Sequence, residues 1–167
     1  MNKLVEAARK YVGQKELTNN KFSNDTEMGR KLHAAGQHDG DPWCAAFVEV
    51  CLKDAYPERT AEWDKLCNLS AVKTFKNFRD AAYVQGQLPQ HGWLVAWQSY
   101  KDGVQGWTGH IGIVASINTH DSTFTSLEGN TNSGGSREGM EVAERPHRLA
   151  FDTKTGLRLL GFIQIPE

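Results

Sequence analysis

The chain lacks several things, and each absence narrows what it can be. Its longest apolar runs span only a few residues, far short of the roughly 20 that a membrane-spanning helix needs. The opening stretch MNKLVEAARKYVG has no apolar core of a secretory leader. The protein is therefore expected to be made in the cytoplasm and to reach a periplasmic or external target after release, or by another export route. Charge of one sign is missing too: 19 Lys and Arg against 20 Asp and Glu give a formal net charge of -1. No strong field draws the chain to nucleic acid or to an anionic membrane, so a charged substrate has to be recognised locally. Cysteine is scarce, with three in 167 residues: Cys44, Cys51 and Cys67. A small odd set is no disulfide scaffold. Cys44 and Cys51 would stand about 10 Å apart along one helix, too far for a bond. A Cys51–Cys67 bridge stays open, but nothing demands it, and reduced thiols are expected.

What is present is an ordinary globular balance, 39% hydrophobic and 23% charged, in a length that suits one domain with its own core. No internal repeat or linker divides it, so residues 1–167 are expected to form a single domain. The first half has helical spacing. Leu4, Ala7, Ala8, Tyr11 and Val12 recur on one face and Gly13 offers a stop. A short helix is expected from about Met28 to Ala35, ended by Gly36. Asp41 and Pro42 predict the start of the next helix, which ends before Pro57. Another covers Ala71 to Phe78.

The second half reads as strands: WLVAWQSY (93–100), HIGIVASIN (110–118), STFTSLEGN (122–130) and LRLLGFIQI (157–165). Turn-formers separate them, and the loop at 130–139 is long enough to be mobile in part. Helices followed by consecutive strands predict an α+β fold, an antiparallel sheet packed on helices.

Among the cysteines, Cys44 is distinct. If Asp41 caps the helix, Cys44 lies in its first turn, where unpaired N–H groups and the positive end of the dipole favour an anion. Taken alone it reads equally as a small buried hydrophobe. A nucleophilic thiol needs a base, and His110 opens a β-run between two glycines, TGHIGIV. His110, Gly112 and Val114 share a strand face, and the bare Gly112 would leave room for substrate there. Taken alone, His110 is a surface histidine at a strand edge. The base needs an orienting partner, and SLEGN sets Glu128 and Asn130 on one face of an extended strand. Taken alone, those two are turn-formers.

Together, PWCAAFV, GHIGIV and LEGNTN, in this order and spacing, resemble the CHAP family of cysteine, histidine-dependent amidohydrolases and peptidases. The opening ARKYVGQKEL and the closing GFIQIP resemble the same branch. The resemblance implies a papain-like NlpC/P60 fold, with N-terminal helices packed on a C-terminal antiparallel sheet, and cleavage of an amide in peptidoglycan. It implies Cys44 as nucleophile, His110 as general base, Glu128 as third catalytic residue and Asn130 as a fourth polar one. Where many members carry Gly-Asp ahead of the strand preceding the histidine strand, this chain has HGWLVAW, with Trp93 at the acid's position. Trp43 and Trp107 are the candidates for contacting substrate, Trp107 from the loop before His110.

No cofactor is required. A structural calcium held by Asp39 and Asp41 is conceivable, as some members bind one before the cysteine, although calcium takes 6–8 oxygens. Zinc on His33, His38 and Cys44 matches no familiar spacing. The expected partner is bacterial peptidoglycan, met by a monomer acting as a phage endolysin or a secreted antibacterial effector, the latter with an immunity protein. The bond would be the N-acetylmuramoyl–L-alanine amide or one within the stem or cross-bridge. Alternatives are a non-catalytic wall-binding domain on the same scaffold and a thiol acyltransferase or deamidase acting on protein.

Overall fold

The computed structural model describes residues 2–131 and 139–166. The expected mobility at 130–139 falls mostly on residues 132–138, outside the described residues. Among the described residues five α-helices precede the sheet: α1 (Lys3–Arg9), α2 (Glu27–Ala34), α3 (Cys44–Ala55), α4 (Thr60–Leu66) and α5 (Ala71–Asp80), with a 3₁₀ turn at Pro57–Arg59. Six strands follow: β1 (Gln85–Gly86), β2 (Leu94–Lys101), β3 (Val104–Asn118), β4 (Thr123–Thr131), β5 (Glu141–Arg148) and β6 (Gly156–Ile163). They form one antiparallel sheet in the order β1-β6-β2-β3-β4-β5. The fold class is α+β, as the order of patterns predicts.

Local chemistry explains most boundaries. Asn2 caps α1 by accepting from the N–H groups of Leu4 and Val5, and Thr26 and Ser70 cap α2 and α5 in the same way. Gly13 and Gly36 take positive φ of 84° and 87° just beyond the first two helices. No strand pattern in the sequence marks β5. Its segment EVAERPHR carries charges and an interior proline, which argue against a central strand. It lies at the sheet edge, where Pro146 opposite Thr125 has no outer neighbour to donate to.

The sheet is buried on both faces. Leu94, Ala96, Ile111, Ile113, Leu127 and Ile163 join the helices in one large core. On the other face Val95, Trp97, Val114, Phe124, Leu159 and Phe162 form a smaller cluster covered by Leu149, Phe151 and Leu157. α3, whose residues Cys44 to Leu52 are all buried, packs across β3 and β4. It comes close because Gly129 has no side chain: a Cβ there would meet Trp43 at 2.5 Å and Phe47 at 2.7 Å.

Candidate active site

Cys44 is the first residue of α3, not the third as the Asp41 cap predicts. Trp43 holds the capping position, at φ -119° and ψ 12°, and no side chain caps the first turn. Asp41 belongs to the preceding turn. Its carbonyl accepts from the Gln37 side chain at 3.3 Å and its carboxylate pairs with His38 at 3.6 Å. Gln37 is itself buried and also donates to the carbonyls of Asn20 and His38. The loop before Cys44 is thus tied from within, and the N–H groups at the start of α3 are free of side-chain competition.

β3 delivers His110, which is 3% exposed. The paired register of β3 with β4 runs from Asn118↔Thr123 to Ile113↔Leu127 and stops there. Beyond it the start of α3 meets the parting strands, so Cys44, His110 and Asn130 line one cavity of about 470 Å³ with Pro42, Ser70 and Trp107 among the other walls. His110 Nε2 lies 2.7 Å from Glu128 Oε2. Nδ1 is buried, has no well-aligned hydrogen-bond partner among the described residues, and the side chain that interacts with the ring besides Glu128 is the Cys44 thiol. With Nε2 committed to Glu128, Nδ1 is the atom left for the Cys44 thiol. Burial lowers the proton affinity of the ring, but the Glu128 carboxylate and Cys44 more than offset this and hold it well above the ordinary imidazole value. Glu128 shows the mirror image. Burial raises it, and the charge and hydrogen bonds of His110 and His147 override that to hold it well below the usual carboxylate range.

Gly112 is bare for another reason than the one expected. A Cβ there would meet Glu128 Cγ at 2.8 Å and the Leu127 carbonyl oxygen at 3.0 Å. The vacant space beside the histidine is filled by its carboxylate partner, not kept for substrate.

Glu128 and Asn130 do not share a direction, contrary to the extended-strand expectation. β4 loses register with β5 between Glu128 and Thr131, and Asn130 sits at φ 54°. The irregularity turns Asn130 toward the Cys44 cavity, where its Oδ1 is buried and has no hydrogen-bond partner among the described residues. Glu128 instead lines a second cavity of about 310 Å³ with Trp97, Arg145 and His147. His110 lines both. It is the partition between a thiol side and a carboxylate side.

Two further side chains, which no sequence motif marks, join this network. The Ser126 hydroxyl donates to Glu128 Oε1 at 2.5 Å, and His147 Nε2 approaches the same oxygen at 2.5 Å. Ser126 was legible in principle, since it precedes Glu128 by two on one strand face. His147 was hidden with β5.

The tryptophans part ways. Trp43 is fully buried, donates from Nε1 to Glu16 at 2.8 Å and packs edge-on against Phe22. Its expected contact with substrate is corrected: it anchors the start of α3 in the core. Trp107 is 87% exposed, stands on β3 and not in a loop, and borders the Cys44 cavity.

Cys51 and Cys67 are buried free thiols whose proton affinity burial raises further. Among the described residues the oxygens of the acidic loop are engaged with other partners. Asp39 pairs with Lys21 and Asp41 with His38, while the Gly40 and Asp41 carbonyls already accept from Asn20 and Gln37. Among the described residues no group of three or more His, Cys, Asp or Glu side chains comes together to hold a metal, and the zinc set is apart, with His33 on Asn24.

Residues 36–130 match the model of the CHAP domain, which covers more than half the chain and spans Cys44, His110, Glu128 and Asn130. Neither the curated proteins nor the solved structures contain a match. CHAP domains are typically hydrolases that act on peptidoglycan.

Proposed function

Because the chain belongs to the CHAP-domain family, we propose that it hydrolyses an amide bond of bacterial peptidoglycan through Cys44, His110 and Glu128, with Asn130 in support. One observation carries the reading: Cys44, His110 and Asn130 line one cavity, where the Cys44 thiol interacts with the His110 ring and Asn130 Oδ1 is buried with no hydrogen-bond partner among the described residues. Buried polar groups are left unsatisfied at a cost, and a site awaiting substrate is a reason to leave them so.

The chemistry follows from the orientation. Nε2–H donates to Glu128, which keeps Nδ1 as the basic atom. Nδ1 takes the proton of Cys44, and the sulfur attacks the amide carbon. The oxyanion is received by N–H groups at the uncapped start of α3. The imidazolium then gives its Nδ1 proton to the departing amine, leaving a thioester on Cys44. Water, deprotonated at Nδ1, attacks that thioester and frees the acid and the thiol. Glu128 stays ionised and holds the ring throughout.

The finer fold reading is papain-like: the thiol at a helix start, the histidine and its carboxylate on adjacent strands of an antiparallel sheet. We take residues 1–167 as one catalytic domain, since α1 and β6 contribute to the same core as α3. Its partner would be the cell wall, met by a monomer in a lytic setting, as a phage endolysin or an antibacterial effector. Mass spectrometry of fragments released from defined peptidoglycan tests this. A new L-alanine amino terminus identifies the amidase, and new termini within the stem or cross-bridge identify the endopeptidase. Intact peptidoglycan after prolonged incubation with active-site-titrated protein would overturn the reading.

A further inference from the structure

We propose that His147 is a positioning residue of this site: with Ser126 it fixes one oxygen of Glu128 so that the other is presented to His110. The proposal rests on the thiol mechanism above. The Glu128 side chain is 3% exposed, and a carboxylate so deeply buried needs its lone pairs engaged on both oxygens. Oε2 is taken by His110, and Oε1 receives both the Ser126 hydroxyl and the His147 ring. A serine hydroxyl alone rotates freely and does not define the carboxylate plane. A ring nitrogen from the neighbouring strand does.

The ring is itself held. It packs at 4.7 Å from Trp97 and 5.4 Å from Phe124, and Trp97 also packs on His110 at 5.9 Å. The two imidazoles therefore share an aromatic wall and a carboxylate, and a shift of one is felt by the other. The charged groups around them are Glu128 on β4 and Arg145 and Arg148 on the strand of His147 itself. His147 donates through Nε2–H whether its ring is neutral or cationic, so the arrangement does not depend on its charge. The working unit is thus a chain of four, Cys44–His110–Glu128–His147, whose last member faces the rear cavity and is 23% exposed.

Three variants test it. His147→Phe keeps the ring packing and removes the donor, His147→Gln restores an N–H without the ring, and Ser126→Ala removes the weaker donor. His147→Phe should lower kcat on the order of 10- to 100-fold, as expected for a misplaced catalytic base, while KM changes little. His147→Gln should recover most of the loss, and Ser126→Ala should cost less than His147→Phe. Alkylation of Cys44 by iodoacetamide gives a readout that needs no wall substrate. When Glu128 is loosened, His110 holds its proton less tightly, so the acid limb of the alkylation profile moves to lower pH in His147→Phe. If wild type leaves peptidoglycan intact but that shift appears, the proposed substrate fails and the positioning role stands. Equal kcat and superimposable alkylation profiles for wild type and His147→Phe overturn the role. Should His147→Phe not fold, nitrogen-15 NMR of the wild-type imidazoles decides. A proton on Nε2 of His147, slow to exchange, supports the role, and the Nδ1-protonated tautomer overturns it.

Discussion

The two faces of the sheet are both buried, yet they are built for different ends. The helix-side face is continuous hydrocarbon, from Leu94 and Ala96 through Ile111 and Ile113 to Leu127, and it fixes where α3 lies. The opposite face is a smaller cluster in which Trp97, Phe124 and Val114 surround His110, Ser126 and Glu128. The first supplies stability and places the thiol. The second supplies a dry setting in which a charge pair acts at full strength. Cys44 sits where the two meet, at the point where β3 and β4 part. Damage to one face should therefore look unlike damage to the other.

The largest effect should come at the junction. Cys44→Ala should reduce wall hydrolysis by on the order of 10⁴-fold or more, as for removal of other covalent nucleophiles. Its thermal melt should stay close to that of the wild type, because one sulfur at the helix start leaves little cavity. Phe47→Ala, one turn further along α3, should do the reverse. Phe47 is fully buried in the core, so its truncation should cost about 3–5 kcal/mol in denaturant unfolding. Activity should then disappear together with the fold rather than ahead of it. A Phe47→Ala protein that melts like the wild type would erase the distinction drawn between the faces.

The sequence shows the first face far better than the second. Apolar periodicity marks α1, α2, α3 and α5 and the four longer inner strands, because a residue that only has to be apolar leaves its mark at fixed spacing. The site is partly legible for the same reason that its chemistry is recognisable: Cys44, His110, Glu128 and Asn130 each stand in a short motif. How they meet is not. Asp41 looks like a cap, but Gln37, a residue no pattern singles out, claims its carbonyl and moves the helix start to Cys44. Gly112 looks like space for substrate, but tertiary packing fills it with Glu128. Asn130 looks like a partner of Glu128, but its left-handed backbone sends it to the other side of His110. His147 depends on β5, whose proline and charges are acceptable because the strand is at an edge, a fact of topology and not of local sequence.

The charge pair on the second face should be visible in stability as well as in rate. His110 holds its proton more tightly in the folded chain, so its contribution is complete below the unfolded value of about 6.5 and fades as pH rises through the folded one. Glu128 releases its proton more readily when folded, so its contribution is complete above about 4.3 and fades as pH falls through the folded value. Both are fully present between about pH 4.5 and 6.5. The melting temperature of the wild type minus that of His110→Gln should peak in that window and shrink on either side. A difference that does not vary with pH would mean that the pair is not ionised in the folded protein.

The smallest effect belongs to a residue that neither face owns. Trp107 is 87% exposed on β3, beside the thiol cavity and beside a second depression lined by Ser70, Lys73 and Lys76. An indole left in water at the rim of a cavity contributes nothing to the core, so Trp107→Ala should change stability by less than about 0.5 kcal/mol. If it holds substrate by stacking, its removal should cost about 1 kcal/mol of binding, a KM increase of roughly fivefold with kcat unchanged. Steady-state rates on soluble wall fragments separate the two constants. A fall in kcat instead would tie Trp107 to the placing of the scissile bond, because losing an interaction made only in the transition state lowers kcat and leaves KM alone.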